Sequence, residues 1–245
     1  MKLLKALLFS LPFLFSTTFT YATVRVGTVF FFPPFVTSLN EGFDIELVRS
    51  ICQRLNLSCE LQPMDFNKLF PALDNGSIDL AIGGIVISQI RQQKYDFSLP
   101  YMLSKGQFLV TQNSNVQTVN DLKGQKVGVI KGEQDNGVFI SYLNDNFPGQ
   151  FSVSQFDDME DLITALSANQ ISAAFTHEST ALYWQENGGG QFKLLAGPVL
   201  LGQGIGIMAL PKNAALLQQI NQALQDLEKD GSYLNLYQTY FGNEK

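Results

Sequence analysis

Apolar and polar positions follow one another along this chain in a pattern that predicts strands and helices in turn. Between residues 44 and 55 apolar side chains recur every three or four positions, as on one helix face, and Asp44 is predicted to cap that helix. Further helices are predicted at 67–74, 134–144, 159–168, 178–186, 214–229 and 233–240, with a helical turn at 119–122. Strands are predicted at 24–28, 60–63, 79–82, 108–111, 126–130, 151–155, 172–176 and 204–210. This alternation indicates an α/β protein built from βα units around a mostly parallel sheet.

The order of these elements predicts two lobes. One βα series precedes residue 109, a second series follows it, and two extended crossings connect them. We expect residues 23–109 and 203–245 to form a discontinuous first lobe and residues 110–202 to form the second. Open α/β sheets bind ligands beyond the carboxyl ends of their strands, so a cleft between the lobes is the expected binding site.

The first 22 residues have the features of a secretory signal peptide. Lys2 and Lys5 precede an apolar stretch at 7–15, and a small-residue cleavage position follows at Ala22. We therefore expect a secreted mature chain that begins at Thr23. A membrane anchor is the alternative, although the apolar stretch is short for a span. No cysteine stands near the cleavage position to carry a lipid.

The charge balance disfavours one class of partner. The chain has 16 basic and 22 acidic residues and a formal net charge of −6, and the predicted signal peptide removes two lysines and no acid. An acidic chain without clusters of lysine or arginine argues against nucleic acid and anionic membrane surfaces as partners. No spacing of cysteine, histidine and acids suggests a metal site, and we expect no cofactor.

The two cysteines, Cys52 and Cys59, stand seven positions apart. Within one continuous helix their Cα atoms would be about 10 Å apart, which is too far for a bridge. A disulfide therefore requires the helix to end between them, and the stretch 56–58 is a plausible place. In an oxidising compartment we expect the disulfide, and two free thiols are the alternative.

The segment from Asp79 to Tyr101, DLAIGGIVISQIRQQKYDFSLPY, carries the strongest indication of a binding site. An apolar strand leads directly into Gly83 and Gly84, and glycines allow a backbone to approach a ligand closely. Arg91 follows, and its guanidinium presents a rigid fork of donors that matches a carboxylate. Together these residues predict a site for a small carboxylic acid.

The same segment resembles the polar amino-acid family of periplasmic solute-binding proteins, which is bacterial extracellular solute-binding family 3. The likeness continues in GTVFFFPPF at 27–35, GFD at 42–44, DLKG at 121–124, GQGIG at 202–206 and DGSY at 230–233. The pair Cys52 and Cys59 is similar to that of the arginine- and histidine-binding branch. The resemblance implies a two-lobed type II periplasmic-binding-protein fold, also called a Venus flytrap. It also implies a periplasmic monomer that binds an amino acid and delivers it to an ABC permease in the inner membrane.

The resemblance further assigns roles to residues of both lobes. Arg91 would hold the ligand carboxylate, assisted by backbone amides near Val86 and Ser88. Phe32 and Phe66 would form aromatic walls, and Gly83 and Gly84 would offer carbonyl groups to the ligand ammonium. Gln134 and His177 would contribute from the second lobe. Other roles remain open: the phenylalanines as core, the glycines as close-packing positions, and His177 as a satisfied residue at a strand–helix junction.

Several positions depart from the family's pattern, among them Gly132-Glu133-Gln134, which stands in place of Gly-Thr-Thr and lacks its hydroxyl. His177 replaces the acid that usually binds the ammonium, Val86 replaces a hydroxyl residue, and Val29 replaces an acid common in binders of basic side chains. Neutral histidine accepts a hydrogen bond, whereas protonated histidine repels an ammonium. Arginine or another basic or polar amino acid is the favoured ligand, and an atypical ligand such as an opine is the alternative.

An enzyme on the same scaffold is the competing hypothesis. Cyclohexadienyl dehydratases resemble this family and act on carboxylic acids in the corresponding cleft, where they need a positioned general acid. His177 and Glu178 are the candidates for that role, but no second catalytic partner stands at a suitable spacing. The run Gly202–Gly206 is not a dinucleotide fingerprint, because a strand and not a helix is predicted there. We therefore expect a binding protein and not an enzyme.

Overall fold

The computed structural model describes residues 23–132 and 137–242. Its strands are β1 Val24–Thr28, β2 Cys59–Pro63, β3 Leu80–Ala81, β4 Asp96–Phe97, β5 Lys105–Thr111, β6 Lys126–Ile130, β7 Ser152–Phe156, β8 Ala173–His177, β9 Phe192–Leu200 and β10 Met208–Ala209. Its α-helices are α1 Phe43–Arg54, α2 Phe66–Asp74, α3 Gln89–Gln92, α4 Val138–Asn146, α5 Met159–Ser167, α6 Glu178–Asn187, α7 Ala214–Lys229 and α8 Ser232–Phe241. The predicted signal peptide at 1–22 and the predicted site residue Gln134 lie outside the described residues. No described helix is both long and apolar enough to cross a membrane.

The strands form two five-stranded sheets. In the first, with the order β2-β1-β3-β10-β4, β1 is parallel to β2 and β3, and β10 is antiparallel to β3 and β4. In the second, with the order β7-β6-β8-β5-β9, β6 is parallel to β7 and β8, and β5 is antiparallel to β8 and β9. The predicted α/β class is confirmed, and the parallel βα units are present in both sheets. The returning strands make each sheet mixed and not mostly parallel throughout.

The first crossing between the sheets comes earlier in the chain than the sequence predicts. β5 contains the predicted boundary at 109/110, yet it pairs with β8 and β9 of the second sheet. We therefore propose that the second lobe begins at Lys105. After β9 the chain returns to the first sheet through bridges from Ile205 to Val86 and Met102.

Two strands, β9 and β4, were not predicted from the apolar pattern, and two others are shorter than predicted. β9 has nine residues, but Ala196 has a φ of +59°, a glycine follows it, and the outer half of the strand is largely exposed. An edge strand is paired on one side only and needs no continuous apolar run. β4 has only two residues. The strand predicted at 79–82 is limited to Leu80–Ala81. The strand predicted at 204–210 is reduced to Met208–Ala209, following Gly202 and Gly204 at positive φ.

Helix α1 begins at Phe43, so the prediction that Asp44 caps it is wrong. Gly42 precedes the helix with a φ of +131°, and a Cβ there would lie 2.4 Å from the carbonyl oxygen of Phe35. Glycine is the residue that this close approach and this backbone conformation allow. Asp44 lies inside the first turn, fully buried, and its carboxylate accepts a hydrogen bond from the Gly84 N–H instead of from its own helix.

An aromatic cluster around Phe43 ties the last helix, α8, to α1. The side chain of Phe43 is fully buried. Its ring meets five other rings at centroid distances from 4.9 to 6.4 Å, namely those of Tyr101, Tyr233, Tyr237, Tyr240 and Phe241. The hydroxyl of Tyr240 also donates a hydrogen bond to Glu46 of α1. Helix α8 is therefore packed against α1.

The disulfide between Cys52 and Cys59 is present, with an S–S distance of 2.01 Å. α1 ends at Arg54, and the N–H of Leu57 bonds back to the carbonyl of Cys52, so the chain reverses before β2. The helix thus ends between the two cysteines, as a bridge requires, and the predicted pairing is confirmed.

Removing this disulfide is expected to lower the free energy of unfolding by about 2–3 kcal/mol, because the unfolded chain regains the entropy of a short closed loop. Urea unfolding of the double variant Cys52→Ala/Cys59→Ala, compared with the wild type, measures the loss. Wild-type protein in excess reductant is the control and should approach the variant's stability. Equal stability of variant and oxidised wild type would contradict the prediction.

Candidate functional site

The two lobes meet where the end of β8 faces the glycine loop after β3. His177 is the last residue of β8 and is 1% exposed, and its Nε2 lies 2.8 Å from the carbonyl oxygen of Gly84. A carbonyl oxygen can only accept, so Nε2 carries the proton and donates it. In the neutral ring Nδ1 is then the unprotonated nitrogen, and among the described residues this buried atom has no hydrogen-bond partner.

The surroundings of His177 keep its ring neutral. The rings of Phe32 and Phe35 from the first lobe and Phe139 from the second lie 5.0 to 5.7 Å away, centroid to centroid. The pKa of His177 is lowered from 6.5 to about 4: burial among these apolar groups is the main cause, the bond to Gly84 opposes it, and the charge of Arg91 adds to it. His177 is therefore uncharged at neutral pH.

Gly84 is held from both sides. Its N–H donates to Oδ2 of Asp44 at 2.8 Å, and its carbonyl accepts from His177. Its φ is +65°, and a Cβ would lie 3.3 Å from the rings of Phe32 and Phe35 and 3.4 Å from Nε2 of His177. A side chain at this position would press on the aromatic rings and the interlobe bond together, so glycine lets the second lobe approach the backbone of the first.

Burial also raises the pKa of Asp44, from 3.8 to about 7, while the Gly84 N–H and the hydroxyl of Tyr101 oppose the rise. The folded protein then holds a proton on Asp44 between about pH 4 and pH 7, where the unfolded chain has released it. This group therefore contributes a stability that falls as the pH rises through that window.

The variant Asp44→Asn should lose this dependence on pH. The difference in unfolding free energy, variant minus wild type, is expected to increase by about 2–3 kcal/mol from pH 5 to pH 8. Urea unfolding at several pH values measures it, and the change with pH, not the offset, is the result, because the amide adds buried donors of its own. A difference that stays constant over this range would contradict the raised pKa.

Arg91 is buried in the first lobe, behind Phe66 of the aromatic wall. It is 4% exposed, its Nη1 donates to the carbonyl oxygen of Val86 at 2.7 Å, and its guanidinium carbon lies 5.8 and 5.1 Å from the ring centroids of Phe66 and Phe70. Ser88 caps α3 by accepting from the N–H of Arg91 at 3.3 Å. The arginine is thus packed on aromatic faces and held to one orientation by the backbone.

A cavity of about 320 Å³ opens between the lobes. Its apolar walls are Val29, Phe30, Phe31, Phe32, Met64, Phe66, Ile130 and Met159. Four acids also line it: Asp65 from the first lobe, and Asp157, Asp158 and Glu160 from the junction of β7 and α5 in the second. Aromatic faces and carboxylates together form surroundings that suit a cation.

Comparison with known proteins decides the family. Residues 24–243 match the family model described as bacterial extracellular solute-binding proteins, family 3. The chain belongs to this family. Its fold and the resemblance found in its motifs are thereby confirmed.

Several named periplasmic binding proteins are similar to this chain over most of their length. The histidine-binding periplasmic protein of Escherichia coli (strain K12) is 28% identical over 231 residues, which cover 89% of this chain and 87% of the relative. The ABC transporter arginine-binding protein 1 of the same strain is 27% identical over 225 residues, covering 89% and 90%. A crystal structure of an arginine 3rd transport system periplasmic binding protein from Legionella pneumophila is 35% identical, with a TM-score of 0.82 and coverage of 89% of this chain and 99% of that one.

The residues expected from the family's pattern fall into two groups within the fold. Gly84, Phe32 and His177 meet at the contact between the lobes, and Arg91 and Phe66 meet at the neighbouring wall. Gly83 has a φ of +154°, and a Cβ there would lie 3.3 Å from the side chain of Val29. This geometry fits the alternative role considered from the sequence, a glycine at a close-packed position.

Other members of the expected set have local bonds. The carbonyl of Val86 accepts from Arg91, and the hydroxyl of Ser88 caps α3. Glu178, considered as a second acid turning into the cleft, instead pairs with Lys105 at 3.0 Å and lines a separate cavity beside α6 and α8.

Sequence reasoning missed two kinds of residue at the candidate site of this solute-binding protein. Phe35 and Phe139, which enclose His177, are two among many phenylalanines and carry no motif of their own. The acids of the second lobe are the other kind, and in the sequence they were visible as the run Asp-Asp-Met-Glu-Asp at 157–161. At a strand–helix junction such a run is also typical of a helix N-terminus, and Asp158 does cap α5 by accepting from Asp161 N–H at 2.8 Å.

Proposed function

We propose that this protein is a periplasmic binding protein that holds an amino acid in the cleft between its lobes and delivers it to an ABC permease. The single observation that carries the proposal is the arrangement at the lobe junction. There a buried guanidinium on aromatic faces adjoins a cavity with aromatic walls and carboxylates. The guanidinium of Arg91 would supply the two-point contact with the ligand carboxylate.

The proposed ligand has a cationic side chain, and arginine is favoured. The sequence raised a doubt, because Val29 stands where binders of basic side chains carry an acid. Carboxylates from other positions support a cationic ligand all the same, since Val29 lines the cavity together with Asp65 and the acids at 157–160. A guanidinium stacked on Phe32 or Phe66 would gain cation–π attraction and the field of these acids. The arginine- and histidine-binding proteins among the similar chains support the same choice.

The protein is proposed to bind its ligand without chemistry. His177 is buried, neutral and bonded to Gly84, and Glu178 is paired with Lys105, so both candidate acids are committed to contacts within the protein. A general acid must reach the leaving group of its substrate within hydrogen-bond distance. The similar proteins of known name are binding proteins, which supports the same conclusion. We further propose a monomer in the periplasm, released after cleavage at Ala22.

Isothermal titration of the mature protein tests the function after carried-over ligand has been removed by partial unfolding and dialysis. The panel holds arginine, lysine, histidine, glutamine, citrulline, an opine and prephenate. Saturable binding of arginine at micromolar or lower concentration, with no turnover of any compound, is the expected result. Binding of none of the amino acids, or release of product from prephenate, would overturn the proposal.

A charge variant tests the cationic ligand by itself. Citrulline has nearly the shape of arginine and no charge, so the ratio of their dissociation constants isolates recognition of the cation. Asp65→Asn is expected to lower the preference for arginine over citrulline by about threefold to tenfold, as loss of one partly screened charge contact predicts. Glu228→Gln, on the exposed face of α7, is the matched control and should leave the ratio unchanged. An unchanged ratio in Asp65→Asn would remove that carboxylate from the site.

A further inference from the structure

The contact between His177 and Gly84 joins the two lobes directly. His177 ends β8 of the second sheet, and Gly84 follows β3 of the first, so their 2.8 Å bond exists only while the lobes are together. Around it lie the contacts of Phe31 with Trp184, at 6.3 Å between centroids, and of Asn67 Nδ2 with Asp157 Oδ1, at 3.5 Å. The histidine bond is shorter than this second polar contact and is fully buried.

We propose that His177 is a pH-sensitive latch: its Nε2–H holds the Gly84 carbonyl and stabilises the closed cleft at neutral pH, and protonation of the ring releases the lobes. This role differs from direct contact with the ligand, which the family's pattern suggested for the position. It rests on the proposed function only in that the cleft it closes is the binding site.

Geometry explains why one protonation state favours closure. In the closed cleft the ring is enclosed by Phe32 and Phe35 from one lobe and Phe139 from the other, and His177 is 1% exposed. When the lobes separate, water can reach the ring. A charged imidazolium therefore loses its hydration on closure, while a neutral ring loses little and still makes its bond.

The charged groups near His177 do not compensate for that lost hydration. Among the described residues, Arg91 of α3 repels a protonated ring. Glu178 of α6 and Lys105 of β5 neutralise each other in a 3.0 Å ion pair. Asp44 of α1, whose pKa is raised to about 7 by burial, lies beyond the peptide of Gly84 and accepts from its N–H, and Tyr233, Tyr237 and Tyr240 of α8 line the adjoining cavity. No carboxylate within this set binds the ring itself.

The size of the effect follows from linkage. The pKa of His177 is about 4 in the closed form, against 6.5 for a hydrated histidine, so the closed form binds fewer protons between these values. The contribution of His177 to the stability of the closed form is therefore complete above about pH 6.5 and decreases as the pH falls toward 4. The ratio of closed to open molecules is expected to fall about thirtyfold between pH 7.5 and pH 5.

Single-molecule energy transfer in the mature, ligand-stripped protein tests the latch without any ligand. Dyes on Lys68→Cys in α2 and Asn144→Cys in α4, both exposed, report the distance between lobes while Cys52 and Cys59 remain paired. The wild-type background should show a closed population at pH 7.5 that declines about thirtyfold, relative to the open one, at pH 5. Circular dichroism at both pH values verifies that the fold is intact.

Two variants separate the bond from the titration. His177→Gln keeps an N–H donor but does not titrate, so its closed population should be the same at both pH values. His177→Phe keeps a ring without a donor and should be more open than the wild type at pH 7.5. The proposal is overturned if the wild type shows no closed population or no change with pH, if His177→Gln declines like the wild type, or if His177→Phe closes as fully. Because no ligand is present, failure to bind arginine would refute the proposed function and leave this result standing.

Discussion

Replacing Arg91 by alanine is expected to abolish detectable amino-acid binding, with a loss of affinity of at least about a hundredfold. Arg91 is the buried guanidinium next to the aromatic wall, and its Nη1 bond to Val86 sets its orientation. Removing one partner of a buried, hydrogen-bonded charge pair costs about 3–5 kcal/mol, because the other charge is left buried without compensation. In the variant the ligand carboxylate would be in that position. Isothermal titration with arginine measures the loss.

Two further variants make the result specific to the guanidinium. Arg91→Lys keeps a positive charge but lacks the planar fork that matches a carboxylate and stacks on Phe66 and Phe70, so we expect an intermediate loss. Arg49→Ala, whose side chain bonds to Asn40 on the exposed side of α1, is the matched control and should bind normally. Thermal melting shows whether each variant is folded. A folded Arg91→Ala protein with near-normal affinity would remove Arg91 from the site.

Replacing Phe43 by alanine is expected to lower the free energy of unfolding by about 3–5 kcal/mol, the usual cost of deleting a fully buried aromatic side chain and leaving a cavity. Phe43 is fully buried, and its ring is the centre of the cluster that ties α8 to α1. The loss should lower the melting temperature by roughly 10 °C for a chain of this size. Urea unfolding and calorimetry measure the two quantities.

The control for this prediction is a substitution on α8, the helix that packs against Phe43. Leu234 is an apolar residue of α8 that is 55% exposed, so Leu234→Ala should change the stability by less than about 0.5 kcal/mol. Phe43→Leu, which keeps most of the apolar volume, should lie between the two. A loss below about 1 kcal/mol in Phe43→Ala would mean that α8 contributes little to the stability of the first lobe.

Much of the fold was predictable because its elements have local causes. The face of α1, the buried strands β1, β6 and β8, and the reversal between Cys52 and Cys59 all follow from the residues within each segment. Apolar residues at helical or strand spacing must be buried on one side or both, whatever they pack against. The edge strands β4 and β9 were not predictable in this way, because their hydrogen-bond partners come from distant segments and their side chains are partly exposed.

At the candidate site, too, the residues with a local sequence motif were predictable and those with distant partners were not. Arg91, the paired glycines and the aromatic loop were visible because several residues of one motif stand together in the chain. Asp44 was misread as a cap, since an acid near a helix start is usually one, while its actual partner is the N–H of Gly84, forty residues away. The acids at 157–160 reach the same cavity as Val29 only after both sheets have formed.

The sequence by itself determined the family, the α/β class and the disulfide, since each depends on residue types at short and fixed spacing. Only the tertiary structure decided the contacts and the burial of His177. These properties depend on Gly84, Phe32 and Phe35, which lie in the other lobe and contact His177 only in the folded protein. Burial and the partner of each nitrogen set the charge of a histidine, and neither is encoded next to it in the chain.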